Sequence, residues 1–175
     1  DMLFMLIAGG GLSSAFIPVF SEFLHTDREK EAWDLFSVVV TFCSLIVFGL
    51  ISIAWIFAGP IAGFFAEDKK ATLHGQAVDF SVLIPEVTHI ARILVPAQYA
   101  FLIGSLLIAT LYARNRFIVP GLAPNVYNVG LIGGAFFGYA SGIGVAGVAW
   151  GALIGAMIGN LAMPAIAMLR LGGHF

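Results

Sequence analysis

The chain has 175 residues, a formal net charge of −2, 60% hydrophobic and only 10% charged side chains, and a mean hydropathy of +1.00. Globular domains carry roughly 25% charged residues, so this composition excludes a disordered chain and argues against a water-soluble domain. The near-neutral balance lacks the basic face of a nucleic-acid binder, and the single cysteine, Cys43, excludes an internal disulfide and a cysteine-built metal cluster.

Asp, Glu, Lys and Arg are absent from residues 2–21, 35–66, 93–113 and 117–169. A bilayer core takes about 20 apolar residues of helix. Helices satisfy their own backbone in lipid, whereas a barrel would show short alternating segments. The first run predicts a span at about 3–24. In the loop His25–Asp34, Thr26-Asp27-Arg28-Glu29 has the capping-box pattern of a helix start. A second span follows at 32–59, with Gly59-Pro60 expected to bend or end it. The longest polar stretch, Glu67 to about Arg92, leads into a third span at 90–113. After Arg114-Asn115-Arg116, the last run is too long for one helix and divides at Tyr139–Val145 (YASGIGV) into spans at 118–139 and 145–169. The expected fold is an all-α polytopic membrane bundle of five transmembrane helices, multi-pass, in a piece of a longer protein.

Arg28, Lys30, Arg114, Arg116 and Arg170 fall on one side of these spans, against Lys69, Lys70 and Arg92 on the other. The positive-inside rule then puts the first and third loops in the cytoplasm and the second outside. Arg114 and Arg116 would hold the third loop at an anionic membrane surface or meet an anionic headgroup. Arg92, at the external start of the third span, would pair with Glu86, face solvent or reach a cavity.

Few motifs suggest covalent chemistry. Gly142-Ile143-Gly144-Val145-Ala146-Gly147 matches G-x-G-x-x-G, but no strand precedes it and no acidic residue follows Glu86, so a dinucleotide site is excluded. Glu86-Val87-Thr88-His89 has the spacing of a di-iron helix without the further carboxylates such a site needs. His25, His74 and His174 have no partners at ligand spacing, and no nucleophile elbow or P-loop is present. The chain therefore reads as neither an enzyme nor a cofactor binder. Glycines recur every fourth residue at Gly130, Gly134, Gly138 and Gly142, and again at Gly147, Gly151, Gly155 and Gly159. Such strips let helices approach closely in lipid, so the last two spans are expected to lie antiparallel in contact. Gln98, Asn125, Asn128 and Asn160 interrupt apolar spans, where amides either bond a neighbouring helix or line a polar cavity. Pro96, Pro120, Pro124 and Pro164 add bends of the kind found around transporter cavities.

The segment Asn115–Asn128 (NRFIVPGLAPNVYN) strongly resembles the MurJ/MviN family of lipid II flippases, the match lying in Asn115, Arg116, Phe117, Pro120, Pro124 and Asn128. Gly11–Glu22 (GLSSAFIPVFSE) resembles that family's second-helix signature, and Val148-Ala149-Trp150-Gly151 its sixth helix. The resemblance implies a fourteen-helix transporter of the multidrug/oligosaccharidyl-lipid/polysaccharide exporter superfamily, with two six-helix lobes that rock to alternate access. Residues 1–175 would be helices two to six of the N-lobe, the first helix and the C-lobe lying beyond them. The implied activity is movement of undecaprenyl-diphosphate-linked muropeptide, lipid II, across the bacterial cytoplasmic (inner) membrane. Its implied partners are membrane lipid, that cargo and cell-wall synthesis proteins. Candidate cavity residues are Ser13, Ser14, Glu22, Arg92, Gln98, Asn125 and Asn128. Phe4-Met5 stand where many members carry an Arg pair, and Gly9 where they carry an acid, so cations for a diphosphate would come from the first helix or the C-lobe. A same-fold exporter of other lipid-linked sugars or drugs, and a non-transporting scaffold for envelope assembly, are the alternatives.

Overall fold

The structure, a computed structural model, describes residues 11–66, 71–73, 76–78 and 83–173. The predicted opening of the first span, Phe4-Met5, Gly9, Lys69, Lys70, His74 and His174 lie outside these residues, as do the side chains of Ser13 and Ser14.

Helix α1 runs over Gly11–His25 and α2 over Glu29–Ile56. The turn between them corrects the capping-box expectation. Thr26 Oγ1 donates to the carbonyls of Glu22 (2.9 Å) and Phe23 (3.3 Å), closing α1 rather than opening α2. Asp27 turns the chain with φ of 56°, and Arg28 at the N-cap makes no side-chain capping bond. These two carbonyls also accept the backbone N–H groups of Thr26 (3.1 Å) and Arg28 (3.0 Å), and a carbonyl oxygen has a second lone pair for the hydroxyl that the pattern assigns to the next helix.

Helix α3, Ala58–Ala66, follows a break at Phe57. The expected break at Gly59-Pro60 is thus displaced upstream. Pro60 is the third residue of α3, where a helix has no use for its missing N–H. A short antiparallel hairpin, β1 Ala71–Leu73 with β2 Gln76–Val78, pairs Ala71 with Val78 and Leu73 with Gln76. It is the only non-helical pairing among the described residues. Helix α4, Ile84–Leu94, begins six residues before the predicted third span, with Pro85 in its first turn. Val95-Pro96 separates it from α5, Ala97–Ala113, because Pro96 has no N–H to continue the ladder.

Helix α6 covers Ile118–Ser141 and ends at Gly142, whose φ of 75° is open to glycine at no steric cost. After Gly144 (φ 58°), α7 runs over Val145–Ala156, passes through a π-helical turn at Met157–Ala162 and continues as α8, Met163–Arg170. The wide turn has a local cause. Pro164 cannot donate to the carbonyl of Asn160, four residues back, so the regular ladder fails there.

Helix α5 is the centre of the bundle, burying Ala100, Ile103, Gly104, Leu106, Leu107 and Ala109 among others. On one side it meets an aromatic cluster from α1 and α2. Ring centroids lie 5.2 Å apart for Phe16 and Phe20, 5.2 Å for Phe20 and Trp33, and 5.7 Å for Trp33 and Phe36. The last two pairs are edge-on, the arrangement that aromatic quadrupoles favour. On its other side α5 meets the π turn and α8 through Leu161 and Met168. By contrast α2 turns Phe42, Leu45, Phe48 and Ile53 outward, an apolar surface that suits lipid and not water.

Among the described residues, three helical segments are long and apolar enough to cross a membrane: Glu29–Ile56, Ile84–Ala113 and Val145–Arg170. The fold is an all-α membrane helix bundle. Helix α6 has the length, at 24 residues, and carries no charged side chain, but its prolines, glycines and two asparagines lower its apolar character.

Candidate functional site

The glycine strips meet backbone to backbone. A methyl group on Gly134 would lie 2.7 Å from Gly151 Cα, one on Gly130 2.7 Å from Gly155 Cα, and one on Gly159 2.7 Å from the Ala123 carbonyl. Gly138 and Gly147 are likewise opposed, a methyl on Gly138 falling 3.1 Å from Gly147 Cα. No side chain fits between α6 and α7, so the two are joined as one antiparallel slab. Gly142, the last member of the first strip, has open space around it and serves the turn instead.

The family-signature segment explains itself locally. Asn115 adopts φ of 55°, a left-handed conformation that Asn tolerates better than most residues. Its N–H bonds the Tyr112 carbonyl at 2.9 Å, and that of Arg116 bonds Leu111 at 2.8 Å, closing α5. Phe117 is the N-cap residue of α6, its ring 5.8 Å from that of Tyr112. Pro120 is buried in the first turn of α6 and Pro124 stands one turn further on. Asn125 and Asn128 follow at a spacing of three, on one face of α6, and both are exposed.

The remaining cavity candidates do not converge. Ser13 and Ser14 fall in the first turn of α1, and Glu22 is exposed near its end. Arg92 sits in the last turn of α4, where Nε donates to the Trp55 carbonyl at 3.3 Å and the guanidinium lies 5.1 Å from the Trp55 ring centroid. The expected pairing with Glu86 does not form among the described residues. Six positions along a helix rotate a side chain by about 240° and carry it some 9 Å along the axis. Gln98 is exposed in the first turn of α5, about 24 Å by helical rise from the end of α5 at which Arg114 meets Glu29.

The helix ends are bound together by Arg114, which the sequence reading placed at the membrane surface, by Glu29, which it read only as part of a capping box, and by Trp33, which it passed over. Arg114 pairs with Glu29 at the start of α2, donates through Nη1 to the Leu171 carbonyl beyond α8 at 3.1 Å, and stacks 5.3 Å from the Trp33 ring centroid. Trp33 Nε1 donates to the same Glu29 carboxylate at 3.3 Å. Arg114 is therefore turned inward and does not serve as a free surface cation, while Arg116 beside it is exposed. Arg28 is held by Glu31 through an Nε bond of 2.7 Å, and this hydrogen bond raises the guanidinium pKa above its ordinary value. Deeper in the bundle, Ser44 and Tyr99 share a hydrogen bond of 3.1 Å between α2 and α5. Gly104 backs onto the Asn160 carbonyl, and the Asn160 Nδ2 is buried without a partner. The sequence signal for that point is the pair Asn160 and Pro164, four apart and opposite a lone small residue.

This is an integral membrane helix bundle, with polar side chains on outward faces and helix ends and a few, among them Ser44, Tyr99, Thr110 and Asn160, set between its helices. The family profile described as MurJ, lipid II flippase MurJ, matches residues 1–174. The chain belongs to the MurJ family. It is 26% identical, over 134 residues, to a protein named lipid II flippase MurJ from Thermosipho africanus (strain TCF52B), covering 77% of this chain and 25% of that relative. The chain thus spans about a quarter of that relative's length.

Proposed function

We propose that this chain is the partial N-lobe of a lipid II flippase, which moves undecaprenyl-diphosphate-linked muropeptide from the inner to the outer face of the bacterial cytoplasmic membrane by alternating access. The observation that carries the reading is the family match over residues 1–174. The five spans are assigned to α1 with the residues before it, to α2, to α4 with α5, to α6, and to α7 with α8. The end bearing Arg28, Arg114, Arg116 and Arg170 is assigned to the cytoplasm by the positive-inside rule.

Two features of the geometry support transport. Asn125 and Asn128 lie exposed on α6, and amides facing hydrocarbon are costly. That face fits a water-filled cavity shared with the rest of the protein. The glycine-joined pair of α6 and α7 moves as one body when the lobes rock. Glu22 belongs to the inner end of the path, and Arg92 and Gln98 to its outer half. On this reading the protein relocates cargo without making or breaking a bond and needs no cofactor.

The test uses the full-length protein. It should restore growth to bacteria depleted of their own lipid II flippase and translocate lipid II in proteoliposomes, while residues 1–175 alone insert and transport nothing. Normal insertion with failure in both assays would assign the protein another lipid-linked cargo or a scaffold role.

A further inference from the structure

The arginines at the basic end are of two kinds. Arg28 is paired with Glu31 and Arg114 with Glu29, whereas Arg116 and Arg170 have no ion-pair partner among the described residues. These two unpaired cations line one cavity of about 600 Å³, set between the end of α5, the start of α6 and the end of α8. Asn115 adds an amide to its rim, Phe117, Ile166 and Ala167 form apolar wall, and no Asp or Glu lines it. Two guanidinium groups line the same cavity and no carboxylate there neutralises them, so the cavity suits an anion. The walls below the arginines suit hydrocarbon, which neither a free anion nor an acidic peptide would supply. An anionic head joined to an acyl chain satisfies both parts, and basic pockets between membrane helices recognise such lipids.

We propose that this cavity holds an anionic glycerophospholipid of the surrounding leaflet as a resident ligand, its phosphate between Arg116 and Arg170 and an acyl chain against Phe117 and Ile166. This goes beyond the flippase reading, since the ligand is retained and not carried, and it rests on the chain being a membrane bundle with this cavity facing lipid in the whole protein.

The test is native mass spectrometry of the purified full-length protein with phosphatidylglycerol or phosphatidylethanolamine of the same acyl chains. Wild-type protein should retain phosphatidylglycerol at least tenfold more strongly. The double substitution Arg116→Gln with Arg170→Gln should weaken that retention about 25-fold, roughly fivefold per charge. Arg28→Gln, at the same end but outside the cavity, should leave it unchanged. Where the double variant folds poorly, the Arg116→Lys with Arg170→Lys form should keep most of the binding. Ala167→Trp, which fills the cavity with both charges in place, should lose it. Equal retention of the two lipids, or full retention by the double variant and by Ala167→Trp, would overturn the proposal. So would complete displacement by millimolar inorganic phosphate, which would make the site one for free phosphate. Competition by undecaprenyl diphosphate at this cavity would overturn it too, by assigning the site to the cargo path. Because the readout is lipid retention, failure here leaves the translocation result standing, and failure of translocation leaves this result standing.

Discussion

Gly134 of α6 and Gly151 of α7 face each other so closely that a methyl group on either would lie 2.7 Å from the Cα of the other. Contact of this kind between backbones replaces the hydrophobic drive that is missing inside a bilayer. Gly134→Leu or Gly151→Leu should therefore force the helices apart and lower the detergent melting temperature by 10 °C or more, on the order of 3 kcal/mol of overpacking. Gly133→Leu is the control, since Gly133 has nothing within 4 Å of its added methyl, and should melt like the parent. Equal melting of all three variants would remove the slab from the account.

Arg114 and Glu29 tie the end of α5 to the start of α2, with the Arg114 side chain only 19% exposed. Arg114→Ala should destabilise by about 2–3 kcal/mol, since it also strips Trp33 and the Leu171 carbonyl of a partner. Glu29 is half exposed, so solvent screens its share, and a double-mutant cycle should give a coupling near 1 kcal/mol. Arg116→Gln should change the melting temperature little. A loss at Arg116 as large as that at Arg114 would contradict the clamp.

Pro164 leaves the Asn160 carbonyl without its usual helical donor, and the chain widens into a π turn at Met157–Ala162. Pro164→Ala restores the N–H. Amide exchange over residues 157–162 should then slow by about tenfold, as the turn tightens toward regular helix. Gly104→Ala should act in the opposite sense, because its methyl would collide with the Asn160 backbone. Unchanged exchange in Pro164→Ala would mean that packing from α5, and not the proline, sets the turn.

Orientation can be read by cysteine labelling in a Cys43→Ser background. A cysteine at Lys70 should react with an impermeant reagent added from outside, and one at Lys30 should react only after permeabilisation. Lys30 is exposed and takes no part in the clamp, so the substitution tests topology alone. The reverse pattern would invert the bundle.

Punctuation that acts locally was legible in the residues. The αL glycine at Gly142 and the turn at Asn115 stand where the pattern reading breaks the chain, because each conformation is set by one residue's own sterics. The ends of α6 and of the segment through α8 accordingly fall within a residue or two of the spans read at 118–139 and 145–169. The Thr26 pattern misled because one hydroxyl can serve either of two helix ends. Which end takes it depends on where the carbonyls of Glu22 and Phe23 point. The early start of α4 was hidden because Ile84–Ala91 carries Glu86 and His89, so charge counting assigned a helical turn to a loop. Of the candidate site, Asn125 and Asn128 share a face by spacing alone. The separation of Arg92 from Glu86 follows from helical spacing once both lie on one helix, whereas the seat of Arg92 on Trp55 needed that helix to be placed against α2.

By itself the sequence determined the solvent and the architecture. Charge-free runs long enough to cross a bilayer must close their own backbone bonds as helices, and a glycine every fourth residue leaves a strip with no side chains on it. Only the tertiary structure decided which cations are spent and which are free. Arg114 and Arg116 are two positions apart, yet one is turned inward to Glu29 and Leu171 while the other lines a cavity with Arg170. Neighbouring side chains on a turn point in different directions, and the partners that hold Arg114 lie 57 and 85 residues away in the chain.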